Sequence, residues 1–343
     1  MRYYITITVL LLTAILLSAG CQSPKPNEYY DRKNAIVDSL DGLNKEIAGY
    51  TEQIAVNARD TNAYFSRAFA RSKANDTKGA IADYSKVLEL NPKDTTVYYL
   101  RGLCKKSIKD LAGAIADYTT AISLDSTFAA AYSDRASAKE RLSDFNGALA
   151  DYNKAIKLDP SNEDAYLGRG LVKETFSDVK GALADYNKAI ELNPEYASAY
   201  NNRGTIKDDM GDYAGAIVDY NRAIALDSAD EAVAFVNRGL TKYSLDDRAG
   251  ERADYSKAIA IDPDYAKAYY LRAICSYDEQ DFKAAITDLD KAIMLDPSHA
   301  QAHYYRGISR AVTGNKDGGC ADLQQAKELG YKEAAQAVKQ YCN

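Results

Sequence analysis

Two histidines and five cysteines in 343 residues leave little material for metal or redox chemistry. His299 and His303 stand four apart, the spacing that places two ligands on one helical face. No Glu or Cys completes such a set, and His303 falls where sister segments carry Tyr, a packing position. The chain has no glycine-rich phosphate loop and no closely spaced Cys pair. Its 49 Asp and Glu recur at fixed places in repeated segments, which marks architecture. No catalytic, cofactor or metal site is therefore expected. The 49 acids against 43 Lys and Arg give a net charge of −6, so no concentrated basic face is available for nucleic acid. Beyond one N-terminal apolar run, no stretch is long enough to span a bilayer.

What fills the chain instead is repetition. AIADYSKVL, from Ala80, returns as AIADYTTAI at Ala114, ALADYNKAI at Ala148 and Ala182, AIVDYNRAI at Ala216 and AITDLDKAI at Ala285. Worn copies begin at Glu251 and Gly319. The interval is 34 residues throughout except for one of 35. A fixed period of this size means one supersecondary unit stacked many times. Each unit reads as two helices. The second carries a broad apolar face, as in Ala80, Ile81, Tyr84, Val87 and Leu88. It stops at Pro92, Pro160, Pro194, Pro263 or Pro297, with Ser126 and Ser228 standing in elsewhere. The units run 61–94, 95–128, 129–162, 163–196, 197–231, 232–265, 266–299 and 300–333.

Tyr132, Ala136, Ala148, Tyr152, Ala155 and Pro160 fill six signature positions in the third unit. Tyr166, Gly170, Ala182, Tyr186, Ala189 and Pro194 fill them in the fourth. In these residues the chain resembles the tetratricopeptide repeat family. The resemblance implies an all-α fold, a right-handed α-solenoid of eight to nine helix hairpins whose first helices line a concave groove. It also implies binding of protein or peptide partners.

One departure from the family recurs. Where the family has Leu, this chain has Arg67, Arg101, Arg135, Arg169, Arg203, Arg238, Arg272 and Arg306. Each lies 16 residues before Asp83, Asp117, Asp151, Asp185, Asp219, Asp254, Asp288 and Asp322 respectively. One ion pair per unit is expected, joining its two helices or adjacent units. A ladder of anion-binding arginines is the alternative.

The ends differ from the middle. Residues 1–20 read as a signal peptide: Arg2, the apolar run Ile5–Leu17, then Ser18-Ala19-Gly20 before Cys21. This resembles the bacterial lipoprotein signal, which implies acylation of Cys21 and a membrane-anchored, exported protein of the cell envelope. A plain signal peptide or an uncleaved anchor is the alternative. Residues 21–27 then form a polar tether. Residues 28–60 read as a decayed helical repeat, YTEQIAVNARD from Tyr50 aligning with YTTAISLDSTF from Tyr118. Residues 332–343 read as a capping helix, with Tyr331, Ala334, Ala335, Val338, Tyr341 and Cys342 along one stripe. Cys320 and Cys342 lie ten residues before and twelve after Gly330, so an antiparallel hairpin sets them opposite each other. A disulfide is expected, two free thiols being the alternative. Cys104 and Cys275 take a position held elsewhere by small residues and should be buried.

By the family pattern, groove-facing residues include Phe65, Tyr99, Leu100, Asn202, Asn237, Tyr270, Tyr304 and Tyr305, with Lys73 and Lys106 early. Glu140, Glu174, Asp208, Asp209 and Asp278 form an acidic floor. Asn is missing from the position that the family's carboxylate clamp requires. The expected partner thus carries apolar or aromatic anchors and some positive charge. Two function classes are open: a membrane-tethered scaffold for envelope proteins, and a permanent subunit of one large envelope or secretion complex. An enzyme with a cryptic site is the weakest alternative. The 35-residue interval and Glu251, which replaces a tightly packed Ala, suggest a loose joint near Ser228 to Glu251, in which the carboxylate loosens the hairpin or turns outward; simple tolerated drift is the alternative.

Overall fold

The computed structural model describes residues 26–226 and 231–342, with side chains from residue 40 onward. The expected signal peptide and Cys21 lie outside them, as do residues 227–230 in the stretch that carries the extra residue. Eighteen helices and no strand occur among the described residues, and none of these helices is long and apolar enough to cross a membrane. They fall into two compact units, 1–192 and 193–343.

The first unit starts with α1 (Pro26–Val56). Four hairpins follow: α2 (Thr61–Lys73) with α3 (Thr77–Leu90), α4 (Thr95–Ser107) with α5 (Leu111–Leu124), α6 (Ala129–Arg141) with α7 (Phe145–Leu158), and α8 (Glu163–Thr175) with α9 (Val179–Leu192). The second unit has α10 (Ala197–Asp209) with α11 (Tyr213–Ala225), α12 (Glu231–Ser244) with α13 (Arg248–Ile261), α14 (Ala266–Asp278) with α15 (Phe282–Leu295), and α16 (Ala300–Val312) with α17 (Lys316–Glu328). It closes on α18 (Ala334–Tyr341).

The turn inside each hairpin has one chemistry. Asn75, Lys109, Ser143, Ser177, Asp246 and Gln280 adopt φ near +60°, and Gly211 and Gly314 take the equivalent places. The next amide bonds back across the helix end, Asp76 N to Arg71 O at 2.8 Å, which satisfies a terminal carbonyl. An Asp then caps the second helix: Asp76 accepts from Gly79 N at 3.0 Å and Asp110 from Gly113 N at 2.9 Å.

Packing within a hairpin centres on a fully buried tyrosine. Tyr118, Tyr186, Tyr220 and Tyr255 press against Gly102, Gly170, Gly204 and Gly239 of their own first helices. A Cβ on Gly102 would stand 2.6 Å from the Tyr118 ring. Where Ala136 replaces that glycine, Tyr152 instead reaches Gly168 of the next hairpin.

Residues 28–60 form no helix pair. One 31-residue helix, α1, runs through them. Gly42 and Gly49 leave it unbroken, since neither sits in a turn and open space surrounds both. The tether's last two residues belong to this helix as well. At the other end the cap begins at Ala334, later than the stripe assumed. This rotates the buried side to Ala334 and Ala337 and leaves Ala335 exposed.

Candidate functional site

The arginines and aspartates lie at the heart of every hairpin. Arg67 donates from Nε and Nη2 to the two carboxylate oxygens of Asp83 at 2.8 and 2.7 Å. The same two-toothed fork joins Arg101 to Asp117, Arg135 to Asp151, Arg169 to Asp185, Arg203 to Asp219, Arg238 to Asp254, Arg272 to Asp288 and Arg306 to Asp322. The aspartates are only 1–8% exposed. The fork therefore joins the two helices of one repeat. Inside each unit the third nitrogen also reaches the preceding second helix: Arg101 to Ser85 at 3.0 Å, Arg135 to Thr119 at 3.0 Å, Arg272 to Ser256 at 3.2 Å. Both placements left open by the sequence thus coexist. With these nitrogens consumed, the anion-ladder alternative does not hold. Arg67 likewise bonds Thr51 at 3.1 Å, so the C-terminal half of α1 serves as the second helix of the decayed repeat.

A second cation completes most forks. Arg71, Lys105, Lys139, Lys173, Lys207, Lys242 and Arg310 approach the same aspartates at 2.7–2.9 Å. Ser276 stands at this place in the seventh repeat, and Asp288 pairs with Arg272. Sequence reasoning missed this partner, although a Lys or Arg stands twelve residues before the Asp in seven of the eight repeats.

A second pattern recurs on the first-helix faces: between the second and third, fifth and sixth, and seventh and eighth repeats, the fifth residue of one meets the sixth residue of the next. In the first unit Tyr99 donates to Asp134 at 2.7 Å and Lys106 pairs with it at 2.5 Å. The Tyr99 ring lies 4.8 Å from Phe128, and Leu100 packs on the core around Tyr84. Phe65 meets Tyr84 edge-on at 6.0 Å, while Lys73 sits 4.5 Å over the Phe69 ring. Glu140 accepts from Tyr152 at 3.1 Å, and Glu174 accepts from Tyr186. Burial pushes the Glu140 carboxyl up, and the Tyr152 hydroxyl offsets part of that shift. Asp134 was not anticipated. It lies 35 residues after Tyr99 and 28 after Lys106, distances that the repeat period would have revealed.

In the second unit Asn237 donates to Asn201 at 3.1 Å, and Asn202 lies beside Asn201 at 3.5 Å. Thr241 donates to Asp208 at 2.6 Å, whereas Asp209 and Asp278 are exposed. Tyr270, Tyr277, Tyr304 and Tyr305 gather at the C-terminal end. The expected acidic floor is thus two kinds of group. Glu140, Glu174 and Asp208 are bound to neighbouring hydroxyls, while Asp209 and Asp278 face solvent.

Glu251 neither turns outward nor sits in water. It is 4% exposed, because its place on α13 points its Cβ inward. Arg248 lies 3.5 Å from its carboxylate, and burial, followed by the Glu251 charge, pushes the Cys275 thiol up to about 12. Cys104 and Cys275 are buried free thiols. Cys320 and Cys342 are disulfide-bonded, their Cα atoms 5.6 Å apart. His303 is buried, with ring nitrogens 3.3 Å from Asp322 Oδ1 and 3.1 Å from the Pro297 carbonyl. His299 accepts from Ala302 N at the start of α16 and its ring stacks 4.4 Å from Tyr270. Among the described residues no His, Cys, Asp or Glu cluster could hold a metal.

Helix hairpins keyed by buried ion pairs, with a patterned first-helix face, define an α-helical repeat scaffold. The chain belongs to the tetratricopeptide repeat family. Tetratricopeptide repeat models match residues 61–94, 95–128, 197–230 and 266–299, and a further model of the repeat matches 141–175 and 177–207. No curated protein matches it. Among solved structures it is similar to PilF of Pseudomonas aeruginosa, 20% identical over 62% of this chain and 96% of that one, with a TM-score of 0.58. PilW, a widely conserved type IV pilus biogenesis factor, is 20% identical over 61% and 97%, with a TM-score of 0.55. A tetratricopeptide repeat protein of Parabacteroides merdae ATCC 43184 is 18% identical over 73% and 99%, at 0.53. At these identities the likeness is one of fold.

Proposed function

We propose that the protein is an exported, lipid-anchored scaffold that holds a polypeptide partner against the first helices of its repeats and so assembles or positions envelope proteins. The observation that carries the binding role is the pairing rule on those helices. Within each unit it sets half-buried aromatic rings and carboxylates side by side on neighbouring first helices. A partner with aromatic or apolar anchors and positive charge complements such a face. No catalytic step is assigned: the buried aspartates are held in forks, and Glu251 and His303 lie against Arg248 and Asp322. Anchoring rests on the sequence alone: an apolar run, three small residues, then Cys21. Acyl chains there would contribute about 0.8 kcal/mol per buried methylene. PilW, a type IV pilus biogenesis factor, is similar in fold.

The test is a peptide array probed with the full-length protein, alongside Asp209→Lys. Basic, aromatic-bearing peptides should be retained, and the substitution should weaken them severalfold. An array without bound peptides would discard the binding face. Separately, radiolabelled palmitate should enter the wild type and not Cys21→Ser; equal labelling removes the anchor.

A further inference from the structure

The C-terminal end of the second unit gathers tyrosines at places where other repeats carry polar residues. At the equivalent positions other repeats have Ser133, Asp134 and Glu140, or Asn201, Asn202 and Asp208, and still pack. Here Tyr305 is the hub, with ring centroids 5.2 Å from Tyr304, 5.0 Å from Tyr277 and 6.3 Å from Tyr270. The first two contacts are edge-to-face at 83° and 75°, the arrangement that ring quadrupoles favour. A further ring comes from outside the repeats. Tyr331, in the link between α17 and α18, lies 4.8 Å from Tyr304. The Cys320–Cys342 disulfide closes α18 back onto α17 and holds that link in place. All these rings are half-buried.

Two carboxylates act on these rings. Asp278, the last residue of α14, acts on Tyr277 and Tyr305, and Glu333 acts on Tyr304, Tyr305 and Tyr331. Both carboxylates are exposed. The nearest arginines of this repeat, Arg306 and Arg310, are turned away into Asp322 and Asp290. Burial keeps the tyrosine hydroxyls protonated, so the rings present neutral faces and no phenolate.

We propose that this cradle receives an arginine side chain from an extended segment of the partner. It rests on the binding face argued above and names what one end of that face takes. Ring faces attract a cation, and a planar guanidinium stacks on tyrosine while forking to a carboxylate at the rim, which an ammonium does less well. Asp278 and Glu333 supply the rim.

Two probes decide it: a nonapeptide amide with one arginine between two tyrosines, and the same peptide with citrulline, which keeps shape and loses charge. Titrated calorimetrically into the oxidised full-length protein, the arginine peptide should bind about fivefold more tightly. The preference should shrink to twofold or less in Asp278→Asn/Glu333→Gln, whose exposed positions leave the fold intact, and vanish in Tyr305→Leu. Equal binding of the two peptides, or a preference unchanged in the carboxylate variant, overturns the cradle. Retention of array peptides without an arginine preference sinks this site alone, whereas an empty array sinks the binding face with it.

Discussion

Replacing Asp151 by Asn removes the charge from one fork while keeping its shape. Asp151 is 5% exposed and accepts from Arg135 at 2.8 and 2.7 Å and from Lys139 at 2.8 Å. The amide would turn an N–H toward one of these donors and leave two cations without a counter-charge. Breaking a buried pair costs about 3–5 kcal/mol. The Arg135 and Lys139 side chains keep 14% and 20% exposure, so water recovers part of this, and the lower end, about 3 kcal/mol, applies. A repeat array need not unfold in one step, so a global melt is the wrong readout. Native-state hydrogen exchange reads the local opening. Amides of α6 and α7 should exchange about a hundredfold faster, at tenfold per 1.4 kcal/mol. Asp288→Asn is the internal control. Asp288 pairs with Arg272, whose side chain is 27% exposed, and lacks the second cation, so about tenfold is expected in α14 and α15. Equal acceleration at both sites, or less than about threefold at Asp151, would refute the view that the twin cations set the strength of a fork.

Two further outcomes follow from single groups. Reducing the Cys320–Cys342 bond, which closes a 22-residue separation, should weaken the cap by about 3 kcal/mol on the loop-entropy account. Limited trypsin digestion should then cut at Lys327 or Lys332 in the reduced protein first, and identical cleavage in both states refutes this. Glu140 has a carboxyl raised by burial, so it loses charge on acidification sooner than an ordinary glutamate. Binding of a basic peptide to the first unit should therefore weaken early as pH falls, with Glu140→Gln flattening the profile in fluorescence polarisation. Stability runs the opposite way: the folded state holds that proton more tightly, so its contribution declines as pH rises through the raised value. A binding profile unchanged by the substitution refutes the assignment.

The hairpins were legible because period, proline stop and the Ala–Tyr–Ala face all agree within 34 residues. Arg67 and Asp83 were legible for the same reason, since a constant separation of 16 converts directly into facing positions. Contacts between repeats were harder to see. Tyr99 with Asp134, or Tyr277 with Tyr305, depends on how one first helix leans on the next, and residue type varies at those places. An outward turn was expected of Glu251 because its polarity was weighed above its position. The helix fixes where the Cβ points, and Arg248 lies within 3.5 Å of the carboxylate. Continuity of α1 was hidden by its second half, where Thr51 does play the repeat's part.

Because ALADYNKAI occurs verbatim at Ala148 and Ala182, and every rung bears the same fork, the forks cannot number themselves. A hairpin that docked one rung too far during synthesis would find an identical lock waiting. Short links of fixed length, and two dissimilar ends, are what keep the count, so lengthening a link should promote mis-threaded and strand-exchanged species long before it weakens any individual rung.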